Sequence, residues 1–216
     1  MQNTVPAITI YLPCYNYGHF LEKAVESILS QDFEDFELLL ANDGSTDNTH
    51  QLCLKYQAQD PRVIYINNEK NLGIHQTCNK LLAHARGHYI TGIAADDFYL
   101  PRRLSAAYKL IQENPDLDIV YCKTILVDEN ANFLWTTSIQ SFLSFDNVVR
   151  YEFREHNRDA GSYFHLSSCL ISREFIAKHG WYEEWEVPKE RKFTAEDWEA
   201  NLRWTKAAKI GYVNQP

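Results

Sequence analysis

Five short apolar runs, at residues 7–12, 36–41, 63–66, 88–93 and 118–122, are separated by stretches in which apolar residues recur at the helical period. Phe20, Leu21, Ala24, Val25, Ile28 and Leu29 form one such stripe. Ile74, Cys78, Leu81, Leu82 and Ala85 form another, and Leu104, Tyr108 and Ile111 a third. A chain that alternates strand with helix is restricted to βαβ units, because parallel strands need a crossover long enough to hold a helix. The spacing therefore predicts an α/β fold with a mostly parallel central sheet flanked by helices. Asp47 or Thr46 is placed to cap the second helix, and Pro101 to occupy the first turn of the fourth.

The pattern changes after Cys122. Residues 124–170 are richer in Asn, Ser, Phe and polar turns and lack repeated βα units. Residues 172–179 then read as a short helix closed by Gly180, and a last helix over 195–208 leads to the apolar run 210–213. We expect one compact unit in two halves: residues 1–122 bind a nucleotide, and 123–216 complete the site. The end at Pro216, just after an apparent strand, suggests a chain trimmed at its C-terminus or one module of a longer protein.

Composition narrows the function classes. At 216 residues the chain can bury a real core, and 45% of it is hydrophobic. A net charge of -8 gives no electrostatic footprint for nucleic acid or anionic lipid, so an anionic substrate must be held by local groups. Nothing at the start resembles a signal peptide, and no apolar stretch approaches the roughly 20 residues that span a bilayer. The five cysteines are scattered, with no Cys-x-x-Cys pair, and read as reduced thiols.

Three strands run into unusual polar loops: Pro13-Cys14-Tyr15-Asn16-Tyr17, Asn42-Asp43-Gly44-Ser45-Thr46-Asp47 and Ala94-Ala95-Asp96-Asp97. In a parallel sheet the carboxyl ends share one edge, where ligands bind, so these distant segments should converge. Tyr15 offers a flat face for a base, and Asp43 can accept the imino proton of a uracil-like ring. Gly44 permits a tight turn close to a ligand. Neighbouring carboxylates repel, so a site that keeps Asp96 and Asp97 both ionised recruits a cation. Each loop also has a plain structural reading. Asn-Asp-Gly-Ser-Thr-Asp is good turn and cap chemistry, the two acids suit a solvated turn before Pro101, and Tyr15 can pack beside the sheet.

Together these segments resemble the inverting glycosyltransferases of family 2, which have the nucleotide-sugar-binding GT-A (Rossmann-like) fold. The matching stretches are Tyr11-Leu12-Pro13-Cys14-Tyr15-Asn16, Ser27-Ile28-Leu29-Ser30-Gln31-Asp32-Phe33, Asn42 through Asp47, Asn71-Leu72-Gly73, Gly87-His88-Tyr89-Ile90 and Asp96-Asp97 with Leu100-Pro101. The second half matches more loosely, through Ser167-Ser168-Cys169-Leu170-Ile171-Ser172-Arg173, Gly180-Trp181-Tyr182 and Glu196-Asp197-Trp198. The resemblance implies a nucleotide pocket of Pro13, Cys14, Tyr15, Asn16, Asp43, Gly44, Asn71 and Asp96. It implies a divalent cation, Mn or Mg, on Asp97 and Asp96. Two departures stand out: Ala94 occupies the place of a further acid, and Thr77 and Cys78 stand near the place of an arginine.

The resemblance also makes Asp197 the candidate base, removing a proton from the acceptor hydroxyl as it attacks the sugar. Thr194-Ala195-Glu196-Asp197 equally suits a capping box. On the acceptor side His165, Glu196 and Trp181 are candidates, whereas Arg102 and Arg103, just beyond the metal loop and within conceivable reach of the diphosphate, read as the solvated start of a helix. The implied function is transfer of a sugar from a nucleotide diphosphate sugar, UDP-linked, to a glycan or lipid-linked acceptor. It is implied in cell-surface polysaccharide synthesis, in the cytoplasm or at the inner face of the membrane. Two rivals remain: a nucleotidyltransferase, and an inactive nucleotide- or glycan-binding module, which Ala94 favours.

Overall fold

The computed structural model describes residues 4–128, 132–136, 166–181, 200 and 203–213. Strand β1 (Ile8–Cys14) leads through helix α1 (Gly18–Leu29) to β2 (Phe36–Asp43), and α2 (Thr49–Gln59) leads on to β3 (Val63–Asn68). Helix α3 (Ile74–His84) precedes β4 (Tyr89–Gly92), and α4 (Arg103–Glu113) precedes β5 (Ile119–Cys122). A hairpin of β6 (Ile125–Val127) and β7 (Phe133–Thr136) follows. The elements described further on include one 3-10 turn (Leu166–Ser168), β8 (Cys169–Ser172), α5 (Arg173–His179) and β9 (Ile210–Val213).

Seven strands form one sheet in the order β3-β2-β1-β4-β8-β5-β9. Strand β1 is parallel to β2 and to β4, with Ile8 opposite both Phe36 and Tyr89. Both faces are covered. Ile8, Ile10, Leu12, Leu38 and Leu40 pack with Leu21, Val25, Ile28 and Leu104 in one core layer. Tyr11, Leu39 and Ala41 pack with Leu81, Phe175, Trp181 and Trp204 in the other. Burial on both faces explains why these strands read as unbroken apolar runs.

The five expected strands are all present, each within two residues of its expected ends. Two local details differ. Pro101 lies outside α4, which starts only after Arg102 in the left-handed region (φ 67). The cap comes from far away: Gln31 Oε1 accepts the Leu104 N–H at 3.1 Å, and Gln31 Nε2 donates to the Leu100 carbonyl at 2.9 Å. Strand β8 was not expected. It runs antiparallel to both β4 and β5, filling the gap between them. Its four residues are too few to show a period, and its neighbours in the sheet are distant in sequence. The expected last helix is represented by Ala200 and residues 203–205; 195–199 lie outside the described residues. All five cysteines are free and buried.

Candidate functional site

The carboxyl ends of β1, β2 and β4 lie side by side, and hydrogen bonds stitch the loops that follow. Cys14 closes β1 with its thiol turned inward, 3.7 Å from Thr49 Oγ1, where burial pushes its pKa up. Any contact of Cys14 with a ligand is therefore through its backbone, while Tyr15 is 46% exposed. Asn16 adopts the left-handed region (φ 57). Its amide N–H donates to Ser45 Oγ at 3.0 Å, and its side-chain oxygen accepts the Thr46 N–H at 2.8 Å. Asp47 then ties two helix starts together, accepting from the Gly18 N–H at 2.9 Å and from the Thr49 N–H and hydroxyl at 3.0 and 2.6 Å. It does the capping expected of it from one residue before the formal cap, Asn48.

Asp43 is buried at the end of β2, directly opposite Asn68 at the end of β3. Its Oδ1 accepts from Asn68 Nδ2 at 2.8 Å and from the Leu72 N–H at 2.9 Å; its Oδ2 accepts from the Gly73 N–H at 3.0 Å. An ionised carboxylate offers about four acceptor positions, so three donors leave one open on Oδ2. Asn68 is itself held by Thr77 Oγ1 at 3.0 Å and by Lys80 Nζ at 2.6 Å. Lys80 is thus the cation that reaches this network; Thr77 and Cys78, near the place of the family arginine, are buried in α3. Asn71 Oδ1 accepts the Gly73 N–H at 2.9 Å, which fixes the loop rather than aiming the amide outward. Gly44 (φ 70) runs against this loop: a Cβ there would lie 2.4 Å from Asn71 N. The roles of Asn68 and Lys80 escaped sequence reading. The register that sets Asn68 opposite Asp43 is a pairing of two strands and is not visible in either segment alone.

Asp96 and Asp97 stand exposed on the loop after β4, with Ala95 buried beneath them. The Asp97 N–H donates to the Ala94 carbonyl at 3.1 Å, and Ser167 Oγ donates to Asp97 Oδ2. Both acids line a cleft of about 890 Å³ that also takes in Phe20, Lys23, Phe98, Lys123, Phe133 and Ser167. Tyr15 and Asp43 do not line this cleft; they stand at the ends of the neighbouring strands. Two adjacent carboxylates suit a divalent cation whose other ligands are phosphate oxygens and water. Among the described residues no group of three or more His, Cys, Asp or Glu could hold a metal without such help.

Arg103 corrects the sequence reading. It is 5% exposed, not solvated, and its Nη2 donates to Thr91 Oγ1 and to the carbonyls of Ser167 and Cys169 at 3.0, 3.2 and 2.9 Å. Burial of a residue at a helix start depends on what packs over that start, here β8 and the turn before it. Trp181 is also buried, edge-on to Tyr11 at 5.7 Å and 5.2 Å from Trp204, so its ring is committed to the core. His165, Glu196 and Asp197 lie outside the described residues.

The sequence pattern of glycosyl transferase family 2 matches residues 9–181. The chain belongs to this family. Among curated relatives, an uncharacterised glycosyltransferase of Methanocaldococcus jannaschii is 33% identical over 153 residues, 70% of this chain and 52% of the relative. GlyG of Streptococcus pneumoniae is 31% identical over 211 residues, 96% of this chain and 68% of GlyG. The chain thus spans about half of the first relative's length and about two thirds of GlyG's. Among solved structures, residues 1–349 of S. aureus TarS superpose with a TM-score of 0.73 at 18% identity, over 97% of this chain and 58% of that one. The Pyrobaculum calidifontis mannosyltransferase PcManGT, solved with GDP-Man and Mn2+, superposes with a TM-score of 0.67 at 18% identity, over 98% of this chain and 56% of that one. The architecture is accordingly the GT-A fold. No described helix is long and apolar enough to cross a membrane.

Proposed function

We propose that this family 2 chain transfers a sugar from a UDP-linked donor to a hydroxyl of a glycan or lipid-linked acceptor, with inversion. The observation that carries the reading is the convergence at one sheet edge of an exposed Tyr15, a buried Asp43 with one open acceptor position, and the exposed pair Asp96–Asp97. In this reading Tyr15 flanks the base, Asp43 Oδ2 accepts its imino proton, and the backbone of Pro13, Cys14 and Asn16 lines the pocket with Gly44 and Asn71. Asp96 faces the ribose or the cation. Asp97, its carboxylate oriented by Ser167, holds the cation with Asp96. A bound Mn or Mg supplies Lewis-acid stabilisation of the leaving diphosphate. The existence of TarS structures with UDP-GlcNAc and with UDP supports the donor class. Curated relatives that include chondroitin and hyaluronan synthases support a role in polysaccharide assembly, which we place in the cytoplasm or at the inner membrane face. Residues 1–122 form the nucleotide half and 123–216 the acceptor half.

Inversion needs one group that takes the acceptor's proton while its oxygen attacks opposite the departing diphosphate, and we assign this role to Asp197. It stands three positions before the buried Ala200, with Glu196 beside it to orient the acceptor. In Asp197→Asn the side chain keeps its shape but cannot accept a proton at neutral pH. Transfer should fall by about 10²–10⁴-fold, the range for loss of a general base, while UDP affinity measured by calorimetry stays at the parent value. A variant that transfers at the parental rate removes Asp197 from the chemistry. UDP binding with no turnover of any UDP-sugar by the parent protein would instead favour a binding module.

A further inference from the structure

The floor of the cleft holds a buried positive charge that no described carboxylate neutralises. Arg103 is 5% exposed and lines the cleft beside Asp97 and Ser167. Its Nη2 is engaged by one hydroxyl and two carbonyls, and its guanidinium lies 4.6 Å from the Tyr99 ring centroid. Nε and Nη1 are buried without a hydrogen-bond partner, so three of its five N–H groups have no acceptor. Among the described residues no carboxylate lies within ion-pair distance of it. A buried charge without a counter-ion is costly, and so are buried donors without acceptors. An anion entering the cleft would offset the charge through space, while the Nε and Nη1 donors themselves are shut off from the cleft.

The walls point the same way. Lys123 lines the cleft, and Lys23 lines it with its Nζ 3.7 Å above the ring of Phe98. Three acids also line it, Asp96, Asp97 and Asp128, and the transferase reading gives the first two to the cation. Asp97 takes the Ser167 hydroxyl, and Asp128 takes the backbone and side-chain amides of Asn132 at 2.8 and 2.9 Å. Phe20, Phe98 and Phe133 add apolar faces of the kind that pack against sugar rings.

We propose that this cleft receives an acceptor glycan that carries a negative charge, a carboxylate or a phosphate, with Lys23 and Lys123 on its walls and Arg103 beneath it. This rests on the transferase reading and names its acceptor class. The test uses the full chain saturated with UDP and Mn²⁺, so that the donor's phosphate site is filled. Binding of methyl β-glucuronide, glucose 6-phosphate and neutral methyl β-glucoside is measured at fixed ionic strength. At least one charged probe should bind about tenfold more tightly than the neutral one, and the better of the two identifies the charged group. Lys23→Gln and Lys123→Gln should each weaken that probe several-fold, with UDP affinity as the control for an intact fold. A neutral probe that binds as well as both charged ones overturns the proposal, as does a charged probe indifferent to both substitutions. If UDP itself does not bind, the donor assignment fails first; if UDP binds and the charged probes gain nothing, only the acceptor class is wrong.

Discussion

Asp43 and Asp47, four residues apart, do different work. Asp43 orders a loop from within: in Asp43→Ala the Asn68 amide and the Leu72 and Gly73 N–H groups lose their shared acceptor. Leaving buried donors unmatched costs about 1–3 kcal/mol, and we expect that loss of stability in urea together with weakened UDP binding. Unchanged UDP affinity would remove Asp43 from the base pocket. Asp47 gives a pH signature. Burial is the largest single influence on it and opposes ionisation, but hydrogen bonds from Thr49 and the Gly18 N–H outweigh it and hold its pKa below the ordinary 3.8. Its contribution to stability is therefore complete above that value and is lost as pH falls through the lower folded one. Asp60 shifts the same way, chiefly through its hydrogen bonds from Arg62, with burial in opposition. Asp47→Asn should flatten part of the acid limb of stability, read as urea midpoints from about pH 6 to about pH 2. An acid limb as steep as the parent's would show that Asp47 does not contribute to it.

At the scale of elements, the site depends on loops touching loops. Gly44 combines a left-handed backbone (φ 70) with contact against the Lys70–Asn71 backbone. Gly44→Ala adds about 1–2 kcal/mol of conformational cost and a clash that no side-chain rotation relieves. Stability and UDP affinity should fall together; a variant with parental values for both would mean that the two loops are free to part. Helix starts divide by where their caps come from. Ser172 caps α5 from its own neighbourhood, accepting the Phe175 N–H at 3.3 Å, and the sequence marks it. The start of α4 is capped by Gln31, which local spacing cannot reveal.

Across the whole molecule the two edges of the sheet have separate duties. At the amino edge Glu37 is buried and accepts from Thr9 Oγ1 at 2.7 Å and from Arg86 N and Nε at 2.7 and 2.8 Å, while Gly87 N donates to Thr9 Oγ1 at 2.8 Å. Glu37→Ala should cost about 1–3 kcal/mol of stability by stranding these donors, yet leave UDP affinity at the parent value, because the ligand edge is at the other end of the strands. A loss of UDP binding in a folded variant would show the edges to be coupled. The sequence by itself determined the strand–helix alternation, the parallel sheet and the three loops that share one edge. Those follow from periodicity and from the direction of parallel strands, which are local or topological facts. The tertiary structure alone decided that Asn68 orders Asp43 across 25 residues and that Ser167 meets Asp97 across 70. It also placed β8 between β4 and β5 and buried Arg103 beneath the cleft. Each of these is a contact between segments far apart in the chain, and its existence depends on how the layers pack rather than on what any one segment prefers.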